Sequence, residues 1–290
     1  MENLFKGKGV YAMRGQVCRM CGTDYKKVLF EKRGIPYYRC RECGFIFSYP
    51  GENANFANKF DDYEASYLNY LIGTECDRKN YALLLTWMSK FCSWEGKRVL
   101  DVGAGSGKFV RFLREKKIEA FGLEPARALY ERFLSKDSYF FCCYLEDFKE
   151  HLIGGNVDIL VSWDVIEHME RPTVFFQNAA KLLKTGGMLF LDTPDVGSVL
   201  PRILGKWWHH YNRYHLSYFS RNTLATLAAQ NGLKEIGFAR LSYLKSMKYI
   251  LQYLNEFVIG SKRMEFLKHV TETAIPINMR DMMFVAFQKN

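Results

Sequence analysis

The stretch that decides the fold is RVLDVGAGSGKFV at residues 98–110, where a predicted strand meets a predicted helix through a glycine-rich turn. Glycines let the backbone approach a ligand closely, and the amides at the start of the helix favour an anionic group. Asp101 stands before the turn, and Glu124 ends the next predicted strand about twenty residues later, where an acid can accept hydrogen bonds from ribose hydroxyls. The stretch therefore predicts a site for a nucleoside.

Short apolar runs alternate with segments of helical period on both sides of this stretch. The runs are RVLDVGAG, AFGLEP, YFFCCYL, VDILVSW and GMLFLDTP, and the alternation is typical of a parallel sheet covered by helices. Two later runs, GFARLSYL and DMMFVAFQ, predict strands that flank a helical insert at about 245–270. Between about 58 and 91, aromatic and aliphatic residues recur at spacings of three and four, which predicts helices with an aromatic face.

The glycine spacing is Gly-x-Gly-x-Gly, whereas dinucleotide binders carry Gly-x-Gly-x-x-Gly. Asp158 opens the fourth predicted strand, and the pair Gly186-Gly187 precedes the fifth. With these features the chain from about residue 58 onward resembles the class I S-adenosylmethionine-dependent methyltransferases. The resemblance implies an α/β fold, a Rossmann-like methyltransferase sheet of seven strands with helices on both faces, in which the last two strands form a reversed hairpin.

The resemblance also implies which residues bind S-adenosyl-L-methionine. The expected set is Asp101, Gly103, Gly105, Glu124, Tyr144, Leu145, Trp163 and Asp164. In this family the acid and glycines of the first loop line the amino-acid end of the cofactor, and the acid of the second strand holds the ribose. Many relatives carry an acid where Tyr144 stands, so we expect stacking and backbone contacts to hold the adenine, or Glu146 or Asp147 to supply the carboxylate.

A second motif, Asp164-Val-Ile-Glu167-His168, follows the fourth predicted strand. It resembles the Glu-x-x-Glu-His stretch of the ubiquinone-biosynthesis O-methyltransferases, some of which use it with a divalent ion, but Asp164 replaces the first glutamate. By this resemblance Asp164, Glu167 and His168 bind Mg²⁺ or Mn²⁺, which acidifies an acceptor hydroxyl. The alternative is that Glu167 and His168 cap and pack the next helix.

The segment at about 195–220 is too long for an ordinary connection and contains WWHHY and YHLSYFS. Long irregular segments in compact domains are usually lids or binding loops. Its aromatic and histidine side chains suit stacking on a ring or sugar while water is excluded. His215 is the candidate general base. The alternative is that His215 makes a structural hydrogen bond at the start of the helix that Ser220 caps.

Four of the eight cysteines form two doublets of Cys-x-x-Cys, separated by eighteen residues and each followed by glycine. This spacing is typical of a four-cysteine zinc site, and the predicted ligands are Cys18, Cys21, Cys40 and Cys43. Four thiolates complete a tetrahedral shell and leave no position for water, so the predicted Zn²⁺ is structural. Cys142 and Cys143 are expected inside an apolar strand instead.

Composition divides the chain into a zinc-ribbon-like module at 1–50, a helical linker or cofactor lid at 51–96 and a catalytic domain at 97–290. The net charge of +10 permits nucleic acid or an anionic substrate without requiring either. No window approaches the roughly 18 apolar residues of a membrane span, and the first residues lack the apolar run of a signal peptide. We therefore expect a cytoplasmic protein.

Three functions fit this sequence. The first is a methyltransferase that acts on a hydroxyl of a small molecule or glycan precursor, the second is a zinc-containing rRNA or tRNA methyltransferase, and the third is a protein that binds cofactor or RNA without turnover. An RNA enzyme is expected to carry basic stretches interleaved with aromatic residues, or an Asn-Pro-Pro-like motif after the fourth strand. The sequence contains neither, and VSWDVIEHM and YHLSYFS favour the first function.

Overall fold

The chain passes through a small N-terminal sheet into one large sheet flanked by helices, in a computed structural model that describes residues 17–24, 26–49, 75–247 and 273–290. The small sheet begins with β1 (Lys26–Lys32), β2 (Ile35–Cys40) and β3 (Ile46–Ser48). The next strands are β4 (Arg98–Val102), β5 (Glu119–Leu123), β6 (Phe140–Phe141), β7 (Val157–Ser162) and β8 (Leu183–Pro194). The last are β9 (Ser217–Tyr218), β10 (Leu233–Ala239), β11 (Tyr243–Ser246), β12 (Ala274–Ile277) and β13 (Met282–Lys289).

Six α-helices lie between these strands in the described residues. They are α1 (Glu75–Met88), α2 (Lys108–Glu115), α3 (Arg127–Leu129), α4 (Pro172–Leu182), α5 (Val199–Leu204) and α6 (Arg221–Ala229). The Ser220 hydroxyl caps α6 by accepting a hydrogen bond from the Thr223 amide, as the sequence predicts. None of the helices in these parts of the chain has the length and apolar content needed to cross a bilayer.

Seven strands form the large sheet, in the order β10-β13-β8-β7-β4-β5-β6. The five strands from β8 to β6 are parallel, and β13 lies antiparallel to both β8 and β10. This reversed pair confirms the predicted Rossmann-like sheet. In this sheet β5 and β6 lie on one side of β4, and β7, the next strand along the chain, lies on the other side. The sheet therefore has its switch point between β4 and β7, the place where open parallel sheets bind ligands at the carboxyl ends of their strands.

Both faces of the large sheet are buried. In β4, Val99 packs into one apolar cluster and Leu100 into a second, because successive side chains of a strand point to opposite faces. Helix α2 contributes Phe109 to the first cluster, and α4 contributes Phe175 and Phe176 to the second. Burial on both faces explains why these strands appear in the sequence as continuous apolar runs.

The small sheet is joined to the large domain through β9, and its strand order is β1-β2-β3-β9. Strand β9 belongs to the segment after β8, and its Tyr218 and Ser217 pair with Ile46 and Phe47 of β3. The rings of Phe45 and Phe219 also pack at 5.1 Å. The segment at 195–220, which we expected to form a lid, is therefore partly built into the sheet of the N-terminal module.

Three expectations from the sequence are corrected. Only Phe140 and Phe141 of YFFCCYL form a strand, and the exposed Cys142 and half-buried Cys143 follow it, because β6 has two residue pairs with β5. GFARLSYL is not one strand, since β10 ends at Ala239 and Tyr243 begins the separate hairpin β11–β12. The predicted helical insert at 245–270 begins as strand β11. Its residues 248–270, and residues 58–74 of the earlier helical prediction, lie outside the described residues, whereas α1 confirms that prediction from residue 75 to 88.

Candidate active site and four-cysteine cluster

The glycine turn after β4 lies at the switch point of the large sheet. Gly103 has a φ of 81°, and a Cβ there would lie 2.4 Å from Cγ2 of Val165. A side chain at Gly103 is therefore excluded both by backbone conformation and by space. The turn brings the backbone close to the loop that follows β7, so the predicted loop stands where an open parallel sheet binds its ligand.

Two buried acids, Asp101 and Glu124, lie at the carboxyl ends of β4 and β5. Glu124 accepts hydrogen bonds from the amides of Gly105 at 2.8 Å and Ala126 at 2.9 Å, which fix the carboxylate beside the turn. Burial raises the pKa of Glu124 to about 7, and burial together with the Glu124 charge raises the pKa of Asp101 to about 8. Among the described residues, Oδ1 of Asp101 has no hydrogen-bond partner, as expected of an atom that binds a ligand.

The other residues predicted to bind the cofactor lie on two further loops at the same edge. Leu145 is buried after β6, and the neighbouring Tyr144 is 52% exposed. Trp163 follows β7 and packs edge-on against Phe109 at 5.8 Å. Its indole Nε1 is buried and lacks a hydrogen-bond partner within the described residues. Two buried polar atoms at this edge are therefore available to a ligand.

One carboxylate and two imidazoles form a group beyond the end of β7. A side-chain oxygen or nitrogen from each of Glu167, His168 and His215 lies within 4.8 Å of the other two. The two imidazole rings are 4.7 Å apart and nearly perpendicular. Nδ1 of His168 lies 2.9 Å from the Tyr214 carbonyl oxygen, so in the neutral ring Nδ1 carries the proton and Nε2 the lone pair. The structure thus brings together candidates that the sequence placed in two separate segments.

Neighbouring strands hold this group in place. The Thr193 hydroxyl, at the end of β8, donates to Oε2 of Glu167 at 3.1 Å. The Leu216 amide donates to the Glu167 carbonyl oxygen at 2.7 Å. The carbonyl oxygen of His215 accepts hydrogen bonds from the hydroxyls of Tyr218 and of Ser48 in β3. The position of His215 therefore depends on the N-terminal module.

Asp164 lies apart from this group, in contrast to the expected metal set of Asp164, Glu167 and His168. Its φ of 54° is in the left-handed region, and its amide donates to Oδ1 of Asp192 at 2.7 Å. The surrounding protein raises the pKa of Asp164 although the side chain remains accessible to solvent. This combination is typical of a residue that lines a cleft.

Sequence analysis missed two residues of the cleft, Asp192 and Tyr243. The Tyr243 hydroxyl donates to Oδ2 of Asp192 at 2.5 Å. Burial raises the pKa of Asp192 well above its ordinary value, and the Asp164 charge raises it further. The one available signal was an acid inside the apolar run GMLFLDTP, which is costly unless the acid is hydrogen-bonded. Tyr243 has no local signal because the hairpin β11–β12 brings it there.

The four cysteines of the two doublets form one cluster, as predicted. Their sulfur atoms lie within 4.8 Å of one another, with two pairs at 3.5 Å, and the cluster comprises Cys18, Cys21, Cys40 and Cys43. All four are free thiols. Behind each doublet a glycine with positive φ, Gly22 or Gly44, donates its amide to the carbonyl oxygen of the first cysteine. These tight turns direct both pairs of sulfur atoms toward one centre.

Residues 76–236 match the model of a protein family described as methyltransferase domain. Among curated proteins, the chain is 30% identical over 146 residues to the ubiquinone biosynthesis O-methyltransferase of Xanthomonas euvesicatoria pv. vesicatoria, which is 45% of this chain and 61% of the relative. It is 31% identical over 135 residues to the protein of the same name from Xanthomonas axonopodis pv. citri, covering 41% and 56%. The chain thus matches less than two thirds of the length of these relatives.

Solved structures share the fold. A S-adenosylmethionine-dependent methyltransferase from Archaeoglobus fulgidus has a TM-score of 0.51 at 16% identity, covering 80% of this chain and 99% of that one. Magnesium protoporphyrin IX methyltransferase from Synechocystis, with bound S-adenosylmethionine, has a TM-score of 0.50 at 11% identity, covering 83% and 100%. At these identities the likeness concerns the fold alone. Because the family model spans more than half of the sequence and the sheet has the expected order, the chain belongs to the methyltransferase domain family.

Proposed function

We propose that this protein is a S-adenosylmethionine-dependent methyltransferase that methylates a hydroxyl of a small molecule or glycan precursor. The observation that carries the proposal is the meeting of two features at one edge of the sheet. The first is the glycine turn with Asp101 and Glu124, and the second is the group formed by Glu167, His168 and His215. Oδ1 of Asp101, which has no partner within the described parts of the chain, fits a ligand with hydrogen-bond donors.

The residues at the turn divide the binding of the cofactor between them. Asp101, Gly103 and Gly105 would bind the amino-acid end of the cofactor. An ionised Asp101 attracts the ammonium group of that end, and the glycines let the backbone approach it closely. Glu124 retains further lone pairs beyond its two amide bonds, so it can also accept from ribose hydroxyls. Tyr144 and Leu145 would flank the adenine, with Trp163 and Asp164 opposite them across the switch point. When bound, S-adenosylmethionine supplies a methyl group activated by its sulfonium.

Transfer of a methyl group needs the two reactants aligned and water excluded. The segment after β8 supports this through a packed aromatic cluster. Trp208 and Tyr211 are buried there at 5.1 Å from each other, and Tyr211 lies 5.2 Å from Tyr37 of β2. This packing holds the following residues, including His215, over the active edge.

A hydroxyl acceptor must also lose its proton, and we assign this step to His215. A neutral imidazole can take the proton, and Glu167 nearby favours the imidazolium that forms. His168 lies against the His215 ring and limits its orientation.

The close approach of the three side chains also favours a second candidate mechanism. Glu167, His168 and His215 offer one oxygen and two nitrogen ligands, a set that suits Mn²⁺ or another divalent transition metal better than Mg²⁺, which takes oxygen ligands. An ion held there would lower the pKa of a bound hydroxyl. In that mechanism His215 is a ligand instead of a base. Asp164 lies outside this ligand set.

The four-cysteine cluster is proposed to bind one structural Zn²⁺. Four sulfur atoms converge, the doublets turn tightly, and no disulfide forms among them. Thiolates are the ligands that zinc prefers in closed tetrahedral sites. The ion would fix the end of β2, and β2 is joined through β3 to β9.

An assay of S-adenosylhomocysteine release tests the proposed function. Purified protein is supplied with S-adenosylmethionine and, in separate reactions, phenolic and catechol acceptors, nucleotide sugars, rRNA and tRNA. We expect turnover with a hydroxylated small molecule or sugar, and less than about a tenth of it in Glu167→Gln, which removes the carboxyl group beside the proposed base His215. Turnover with RNA alone, or S-adenosylmethionine binding without turnover of any acceptor, would contradict the proposal.

A further inference from the structure

A second group of potential metal ligands lies outside the residues used above. His209 and His210 follow the buried Trp208 in the segment after β8, and Asp281 directly precedes β13. Nε2 of each histidine lies 3.8 Å from the same oxygen, Oδ2 of Asp281. The two imidazole rings are 4.0 Å apart. Residues some seventy positions apart in sequence thus direct three ligand atoms at one another.

The carboxylate of Asp281 is held rigidly. Asp281 is buried, and the indole Nε1 of Trp208 donates to its Oδ2 at 2.8 Å. Its carbonyl oxygen accepts a hydrogen bond from the Asp195 amide at 2.7 Å. A buried carboxylate with an oriented oxygen is a favourable arrangement for a metal ligand, because a bond from a neighbouring donor fixes the direction of its lone pairs.

The distances match a bound ion better than direct hydrogen bonds. A separation of 3.8 Å between nitrogen and oxygen is too long for a hydrogen bond. Ligands at about 2.1 Å around a tetrahedral zinc lie about 3.4 Å from one another. Small rotations of the two imidazoles would therefore place all three atoms at ligand distance from a common centre.

The chemistry of the three groups agrees with this geometry. Two imidazoles and one carboxylate form a ligand set suited to zinc and other borderline divalent transition metals. The side chain of His209 is 37% exposed, so water can occupy a fourth position.

We propose that His209, His210 and Asp281 bind one Zn²⁺ or a similar divalent transition metal, at a site distinct from the four cysteines and from the group of Glu167, His168 and His215. The ion joins the segment after β8 to the connection that enters β13. Its effect reaches the proposed active site, because the His210 ring stacks on His215 at 5.6 Å. The site stands on its own geometry and does not depend on the proposed methyl transfer.

Equilibrium dialysis against Zn²⁺, followed by metal analysis, tests the site on the full chain. The variants are His209→Ala, which removes a partly exposed ligand, and the control His151→Ala, which removes an exposed histidine elsewhere. His168→Ala reports on the other histidine group. A far-ultraviolet circular dichroism spectrum equal to that of wild type verifies that each variant is folded.

We expect His209→Ala to bind one zinc fewer per chain than wild type and His151→Ala to bind the same number. His168→Ala should retain the zinc that His209→Ala loses. In protein whose cysteines hold zinc, added Co²⁺ should give a weak visible absorption without thiolate charge transfer, and His209→Ala should abolish it. Equal zinc content in wild type and His209→Ala, an equal loss in His151→Ala, or a loss confined to His168→Ala would overturn the proposal.

Discussion

At the scale of single residues, carboxyl groups dominate the edge of the sheet where the glycine turn lies. The surrounding protein raises the pKa of five of them, of which four are buried and Asp164 is accessible to solvent; they are Asp101, Glu124, Asp164, Glu167 and Asp192. Desolvation disfavours the charged form, and several of these groups repel one another as well. A ligand that carries positive charge, such as a sulfonium, would favour their ionised forms. The cleft is therefore better matched to a cationic cofactor than to an anionic one.

We predict that Asp101→Asn increases the free energy of unfolding of the ligand-free protein more at pH 8 than at pH 5. The pKa of Asp101 rises from 3.8 to about 8 on folding, so between these values the folded state holds a proton that the unfolded state releases. Stability from this group is thus lost as pH rises through that window, whereas Asn does not titrate. Urea unfolding at both pH values measures the difference, with the exposed Asp147→Asn as control. If Asp101→Asn increased the free energy of unfolding by the same amount at both pH values, the raised pKa of Asp101 would be contradicted.

For His215 we predict a loss of about 10²–10⁴-fold in turnover in His215→Ala with little change in affinity for S-adenosylmethionine. His215 lies beside Glu167 and His168, whereas other residues are proposed to contact the cofactor. In His209→Ala, which lacks the second proposed zinc site, a chelator that leaves the proposed cysteine-bound zinc in place should not reduce turnover. If it does, and Mg²⁺ or Mn²⁺ restores the rate, then the metal mechanism replaces the base mechanism. A loss of less than tenfold in His215→Ala would contradict both.

At the scale of elements, the segment between β8 and α6 shows what the sequence could and could not provide. Its length and its aromatic and histidine content predicted a lid or binding loop, and in the structure His215 of this segment lies beside Glu167 and His168. Its partner could not be predicted, because β9 has only two residues and pairs with β3, about 170 positions earlier. The hydrogen bond from Ser48 to the His215 carbonyl oxygen, at 2.9 Å, follows from this pairing.

We predict that Cys40→Ser reduces turnover up to about 100-fold while affinity for S-adenosylmethionine changes little. Loss of the zinc should release β2 and β3, and a displacement of His215 by about 1 Å is sufficient for such a loss. Hydrogen exchange should become faster at residues 26–48 and also at 208–219, but not in β4 and β5. Cys142→Ser, which changes an exposed thiol, is the control. Faster exchange confined to the first fifty residues would show that the module does not position His215.

At the scale of the whole molecule, the fold was predictable where physical constraints repeat along the chain. Strands buried on both faces must be apolar throughout, so β4, β5, β7, β8 and β13 were visible in the sequence. The edge strand β6 and the hairpin β11–β12 depend on long-range pairing, and their bounds were missed. The cysteine cluster was predictable from local spacing. The joining of the N-terminal module to the large domain was not predictable from the sequence. It depends on contacts between residues far apart along the chain, such as Phe45 and Phe219, which belong to one apolar cluster.

The central claim is that the carboxyl edge of the sheet binds S-adenosylmethionine through Glu124, and calorimetric titration tests it most directly. Wild type, Glu124→Ala and the control Glu131→Ala are titrated with S-adenosylmethionine. Glu131 is an exposed glutamate on the helical turn after β5 that pairs with Arg127. We predict binding by wild type and Glu131→Ala with equal affinity, and a loss of about 1.5–3 kcal/mol, or about 10- to 150-fold in Kd, in Glu124→Ala. No binding by wild type, or equal affinity in Glu124→Ala, would contradict the claim.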